Sequence, residues 1–205
     1  MSTPHTLVLG VGNILWADEG FGVRAVEALE RRYHSGPEVE LMDGGTRGLA
    51  LLEPIGAADR LLLLDAVAFG GRPGEIRRVA GDDVPRFVGQ KAMSLHQTGM
   101  QDILALADLQ GVLPRHLVLL GVEPALLEDY GGGLSPAVAT TLDEAVALAV
   151  IELQAWGHMV LPRARPLDAA SVNVEALQHR PYETGRPAAE AACRIGDDRF
   201  LRQVG

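Results

Sequence analysis

Four short apolar runs, each leading into a glycine or an aspartate, limit what this chain can fold into: TLVLG at Thr6–Gly10, VELM at Val39–Met42 before Asp43, RLLLLDAV at Arg60–Val67, and HLVLLGV at His116–Val122. Runs of this kind suit strands buried on both faces, as in a parallel sheet. Helical patterns lie between them. Val23, Val26, Leu29 and Tyr33 recur at spacings of three and four, which predicts a helix from about Gly20 to Tyr33. Further helices are predicted through Leu49, Leu52 and Ile55, over Ser94–Leu109, and over Ser135–Trp156. Gly74–Val79 (GEIRRV) is more polar and reads as an edge strand. Strands alternating with helices imply a three-layer α/β domain with a largely parallel sheet. Ligands of such sheets bind beyond the carboxyl ends of the strands.

Composition excludes several classes. The chain has 205 residues, 27 acidic and 18 basic side chains and a net charge of -9, which disfavours a nucleic-acid partner. One cysteine cannot make an internal disulfide. Cys193 lies in a tail with nothing to activate it as a nucleophile. MSTPHTLVLGVGN carries no Lys or Arg before its apolar stretch, so a signal peptide is not expected. The longest apolar stretches are interrupted, by Asp65 and by Asp143, Glu144 and Glu152, so no membrane span is expected and the chain reads as cytoplasmic. After Leu161 and Pro162 the pattern changes: residues 163–205 hold seven arginines, six acids and little hydrophobic periodicity. We expect an α/β domain over 1–162 and a largely irregular extension over 163–205 that could wrap it.

The chemistry sits at the strand ends. Asp18 and Glu19 follow the first strand, Asp65 ends the third, and His96 opens a helix in MSLHQTG. Two carboxylates and an imidazole from separate loops make an oxygen/nitrogen metal site suited to nickel or zinc rather than calcium or magnesium. Each has a simpler reading. Asp18 and Glu19 can cap the first helix, the explanation we favour for Asp18; His96 can be structural; Asp65 can cap the following loop. A carboxylate behind four leucines is, however, costly to bury alone. Gly10 and Gly12 resemble half of a dinucleotide fingerprint, but position 15 is leucine and the acidic loop opposes a pyrophosphate. A tight turn at Gly10 is the better explanation. No H-E-x-x-H, G-x-S-x-G or phosphate-loop motif is present, and nothing around Lys91 suggests a lowered pKa.

The segments LVLGVGNILWADEGFGVRAVEAL, ELMDGGTRGLALL, LLLLDAV, SLHQTG, LLGVEP and GLSPAV, in this order over residues 5–162, resemble the hydrogenase maturation endopeptidases. The pattern GxGNxLxxDEGxGV with DGGT and SxHQ is highly specific. The resemblance implies a three-layer α/β/α sandwich around a mostly parallel, mixed five-stranded sheet of the phosphorylase/hydrolase-like type. It implies trimming of the C-terminal extension from the large-subunit precursor of a nickel-iron hydrogenase after nickel insertion. Glu19, Asp65 and His96 match the family's metal-contacting positions, with nickel supplied by the substrate and zinc or cadmium able to occupy the ligands in vitro. Asp43 of DGGT belongs near the cleft, and Glu19, Asp65 and Asp43 are the candidate catalytic carboxylates. The family also implies a monomer, and its longer, uptake-hydrogenase members carry C-terminal extensions. Two other classes remain open: a nickel checkpoint or escort protein that binds the immature subunit without cutting it, and a nucleotide-binding oxidoreductase, which Leu15 and the acidic loop weaken.

Overall fold

The computed structural model describes residues 4–45, 47–90, 95–127, 129–173 and 177–185, with the side chains of residues 86 and 89–98 outside the description. Lys91, Thr46 and Cys193 therefore lie outside the described residues.

Along the chain the elements are β1 (Thr6–Val11), a 3-10 turn at Ala17–Gly20, α1 (Phe21–Arg32), β2 (Tyr33–Ser35), β3 (Val39–Gly45) and α2 (Leu52–Ala57). Next come β4 (Arg60–Ala66), β5 (Ile76–Ala80), α3 (Asp83–Gln90), α4 (Leu95–Leu109) and β6 (His116–Val122). The described chain ends with α5 (Pro136–Ala139), α6 (Leu142–Ala155), β7 (Val160–Pro162) and α7 (His179–Gly185).

The five-stranded sheet has the order β3-β1-β4-β6-β5. β3, β1, β4 and β6 run parallel, and β5 pairs antiparallel with β6. The sheet is thus mostly parallel and mixed, with β5 the polar edge that GEIRRV predicts. Alternation divides its side chains between two cores. Val8, Leu62, Leu64, Val118 and Leu120 pack with Phe21, Val26 and Leu29 of α1 and Val146, Ala149 and Leu153 of α6. Leu7, Leu9, Leu61, Leu63, Leu117 and Leu119 pack with Ile55, Val84, Met100, Ile103 and Leu104 of α2, α3 and α4. Both faces are covered, which is why these strands read as continuous apolar runs.

The helix predicted over Ser135–Trp156 is two helices. The hydroxyls of Thr140 and Thr141 donate to the carbonyls of Ala137 and Val138, closing α5 before α6 begins. Among the described residues beyond 162 the chain forms α7, and this segment follows directly on β7, which pairs antiparallel with β2. Among the described residues no helix is long and apolar enough to cross a membrane.

Candidate functional site

Glycine contacts place the acidic turn. A Cβ on Gly22 would lie 2.0 Å from the Leu64 carbonyl oxygen and 2.4 Å from that of Val11, and one on Gly10 would lie 2.4 Å from the Gly22 oxygen. Only glycine lets α1 press its backbone onto β1 and β4 at this height. The role of Gly10 is therefore close approach rather than the tight turn expected of it, and the positive φ, +123°, falls at Gly12. A Cβ there would sit 1.8 Å from the Glu19 oxygen. The Ala17–Gly20 turn contacts β4, and Gly22, two residues after it, meets the Leu64 carbonyl, one residue before Asp65.

Asp18 and Glu19 are both buried, at 0% and 8% exposure. Asp18 is not a helix cap. Its Oδ2 accepts hydrogen bonds from the Ala125 and Leu126 amides (2.8 and 2.9 Å) and from the Ser135 hydroxyl (2.9 Å); its Oδ1 accepts from the Ser135 amide (2.6 Å). The carboxylate clasps the loop between β6 and α5, and the same loop returns the contact through Ala17 N to Gly132 O (3.1 Å) and Asp18 N to Leu126 O (3.1 Å). Ala17 takes φ +42°, a costly conformation for alanine that this doubly held turn imposes.

Asp65 is 2% exposed. By alternation it shares a face with Leu61, Leu63 and Val67, the face covered by α4. Opposite it on β6 stands Gly121, so no directly paired side chain crowds the carboxylate. After Asp65 the chain is pinned by a group the sequence reading missed. Buried Glu123, just beyond β6, accepts from the amides of Phe69 (2.7 Å) and Gly71 (2.9 Å). The available signal was its place in LLGVEP, a carboxylate at the end of a buried strand, as for Asp65.

His96 is the second residue of α4. The chain passes from the end of α4 into the start of β6, so α4 runs against the strands and begins at their carboxyl edge. Its 15 residues rise about 22 Å, close to the height of the seven-residue β6. The backbone thus brings His96 to the edge that carries Glu19 and Asp65. Its side chain lies outside the described residues, and among the described side chains no three ligand groups converge.

Asp43 is set apart. It pairs in register with Gly10, which pairs with Leu64, so it lies two strands from β4, roughly 10 Å away. Along β3, Val39 and Leu41 pack into the α1 core, so Asp43 faces α1 and not the α4 side that Asp65 faces. Burial holds its carboxyl above the ordinary value, against the opposing pull of the Gly45 amide, Arg47 and Arg24. It lines an open cavity of about 420 Å³ with Gly45, Arg47, Ser171, Val172 and Asn173. A raised folded-state pKa means that stability is lost as pH rises through it, so the ionised group is a burden near neutrality. Asp43→Asn is therefore expected to keep or raise the melting temperature at pH 7, measured by differential scanning calorimetry. A fall of several degrees would show that Arg47 and Arg24 depend on its charge.

Glu19, in the turn after β1, and Asp65, near the end of β4, lie toward the carboxyl edge of a mostly parallel sheet, where α/β proteins bind their ligands. Residues 23–152 match the family model for hydrogenase maturation proteases, and the chain belongs to that family. It is 49% identical to the hydrogenase expression/formation protein HupD of Thiocapsa roseopersicina, over 99% of this chain and 92% of that one. To HoxM of Cupriavidus necator it is 48% identical, over 96% and 98%. The hydrogenase maturating endopeptidase HybD from Escherichia coli superposes with a TM-score of 0.74 at 39% identity, covering 78% of this chain and 98% of its own.

Proposed function

We propose that this endopeptidase removes the C-terminal extension of a nickel-iron hydrogenase large-subunit precursor after nickel insertion, recognising the substrate's nickel through Glu19, Asp65 and His96. The observation that supports the reading is that two buried carboxylates, Glu19 and Asp65, belong to elements in contact, the Ala17–Gly20 turn and β4. The oxygen and nitrogen donor set suits nickel or zinc. An incomplete ligand set binds a free ion weakly, so the metal held by the precursor completes it and an empty precursor lacks the anchor. Cutting then needs a water activated beside the scissile carbonyl: its oxygen bonds to the carbonyl carbon, the C–N bond breaks, and the leaving amine takes a proton. A carboxylate is the available general base, with Glu19 and Asp65 the candidates, since Asp43 faces the other side of the sheet.

Incubation with nickel-loaded precursor is expected to release one C-terminal peptide, read by mass spectrometry, and His96→Ala to abolish release. Full activity of that variant would remove the metal-anchor role. The ligand form of imidazole is neutral with a reference pKa of about 6.5, so engagement should weaken below roughly pH 6; flat activity from about pH 8 to 5 would contradict it. Binding of the precursor with no change in its mass would support the escort alternative.

A further inference from the structure

The chain beyond β7 lies along α1 and is tied to it by backbone and side-chain hydrogen bonds. Arg163 N donates to Arg32 O (2.8 Å), Leu167 N to Arg31 O (2.9 Å), and Arg31 Nε to Leu167 O (2.9 Å). Glu30 of α1 then takes three hydrogen bonds, from Ser171 N (2.7 Å), Val172 N (3.1 Å) and the Ser171 hydroxyl. Buried Gln178 closes the segment by bonding both backbone groups of Ala170, at 3.1 and 2.8 Å. These bonds hold residues 171–173 at the end of β3, where they line the cavity together with Asp43, Gly45 and Arg47.

β3 is an edge strand, paired on one side with β1. An edge offers backbone donors and acceptors to a further extended chain, and side-chain pockets beside it supply specificity. The cavity lies at the carboxyl end of that edge, and its volume is in the range of small binding clefts. Its lining supplies a carboxylate, a guanidinium and a side-chain amide, groups that suit the mixed donors and acceptors of a polypeptide.

We propose that residues 171–173, with Asp43, Gly45 and Arg47, form a subsite for an extended stretch of substrate polypeptide at the carboxyl end of β3, two strands or roughly 10 Å from β4, and that Glu30 is the residue positioning its 171–173 wall. The proposal rests on the protease reading and deepens it. The extension is then part of the substrate cleft, and its sequence sets which precursor fits.

The test uses the full chain and nickel-loaded precursor, with Kd from biolayer interferometry and kcat and KM from mass spectrometry. Arg47→Trp and Asn173→Trp each put bulk into the cavity, one from the β3 end and one from the extension. Each is expected to weaken Kd and raise KM about tenfold, with the loss falling on KM rather than kcat. Glu30→Ala should move the same parameters, and Glu30→Gln, which keeps an acceptor oxygen, should recover part of the loss. Unchanged Kd and KM in both tryptophan variants, melting as wild type, would overturn the subsite while leaving the protease intact. A wild-type chain that binds precursor without cutting it defeats the protease reading, and the Kd series still decides the subsite. A wild-type chain that does not bind precursor overturns both.

Discussion

Asp18→Ala is expected to lower the melting temperature by about 10 °C and to cost most of the cleavage activity, although Asp18 is assigned no contact with substrate. The carboxylate accepts four hydrogen bonds, three of them from backbone amides, in a place with no measurable exposure. A stranded buried donor costs about 1–3 kcal/mol, and water reaching some of these part-buried groups reduces the total to roughly 3–5 kcal/mol. In a chain of about 200 residues, each kcal/mol shifts the midpoint by about 2–4 °C. The damage spreads through Ser135, which gives its hydroxyl proton to Asp18 while accepting from Val138 N as the cap of α5. It spreads also through the Ala17–Gly20 turn, whose strained Ala17 is held by Gly132. Glu19 stands on that turn, so loosening it displaces the carboxylate proposed to engage the substrate's nickel. Asp18→Asn keeps one acceptor oxygen but turns an amide N–H toward a donor, and should fall between wild type and alanine. A melting curve for Asp18→Ala that overlays wild type would refute the clasp.

The contrast between Asp18 and the strands shows what could be read in advance. TLVLG, RLLLLDAV and HLVLLGV carry their own explanation, because a strand covered on both faces needs apolar residues on both. His116–Val122 is found at its expected bounds. The long helix failed at Thr140–Thr141, since apolar periodicity runs across a break made by two hydroxyls bonding back to the preceding turn. α3 and the β2–β7 pair went unseen; a three-residue strand has too few positions to show a period. For the site, residue identity and place in sequence suggested Glu19 and Asp65. The function of Asp18 depended on partners more than 100 residues away, and its neighbourhood pointed to a cap instead. Likewise Asp43 was grouped with Asp65 by motif, while pairing register puts the two on opposite faces of the sheet.

Glu27→Ala should produce a loss of similar size by a different route. Arg24 and Glu27 form an ion pair at 3.0 Å on α1, with 3% and 1% of their side chains exposed. Arg24 also donates to Leu177 O (2.5 Å) and stands 5.3 Å from the Tyr182 ring centre, while both Glu27 oxygens accept from His179 N (2.8 and 3.0 Å). Taking away one partner of a buried pair strands the other charge, at a cost of about 3–5 kcal/mol. Here it also detaches the start of α7. The expected signature is a lower melting temperature together with faster amide exchange at His179 and along α7, with exchange in the central strand β4 changed only through global stability. Glu27→Gln preserves an acceptor for His179 N while discarding the charge, so it should slow exchange relative to alanine yet remain less stable than wild type. Acid should imitate the lesion in the native chain. Burial, then Arg24, holds the His179 imidazole below its ordinary value, against the weaker opposite pull of Glu183 and Glu27. A histidine whose folded pKa is depressed contributes its full share above the unfolded value of about 6.5, and that share is lost as pH falls from there through the folded pKa. α7 should therefore exchange faster, after correction for intrinsic rates, as pH drops below about 6.5. Corrected exchange that stays flat across that interval, or that is unchanged in Glu27→Ala, would mean that the buried pair does not hold the extension to α1.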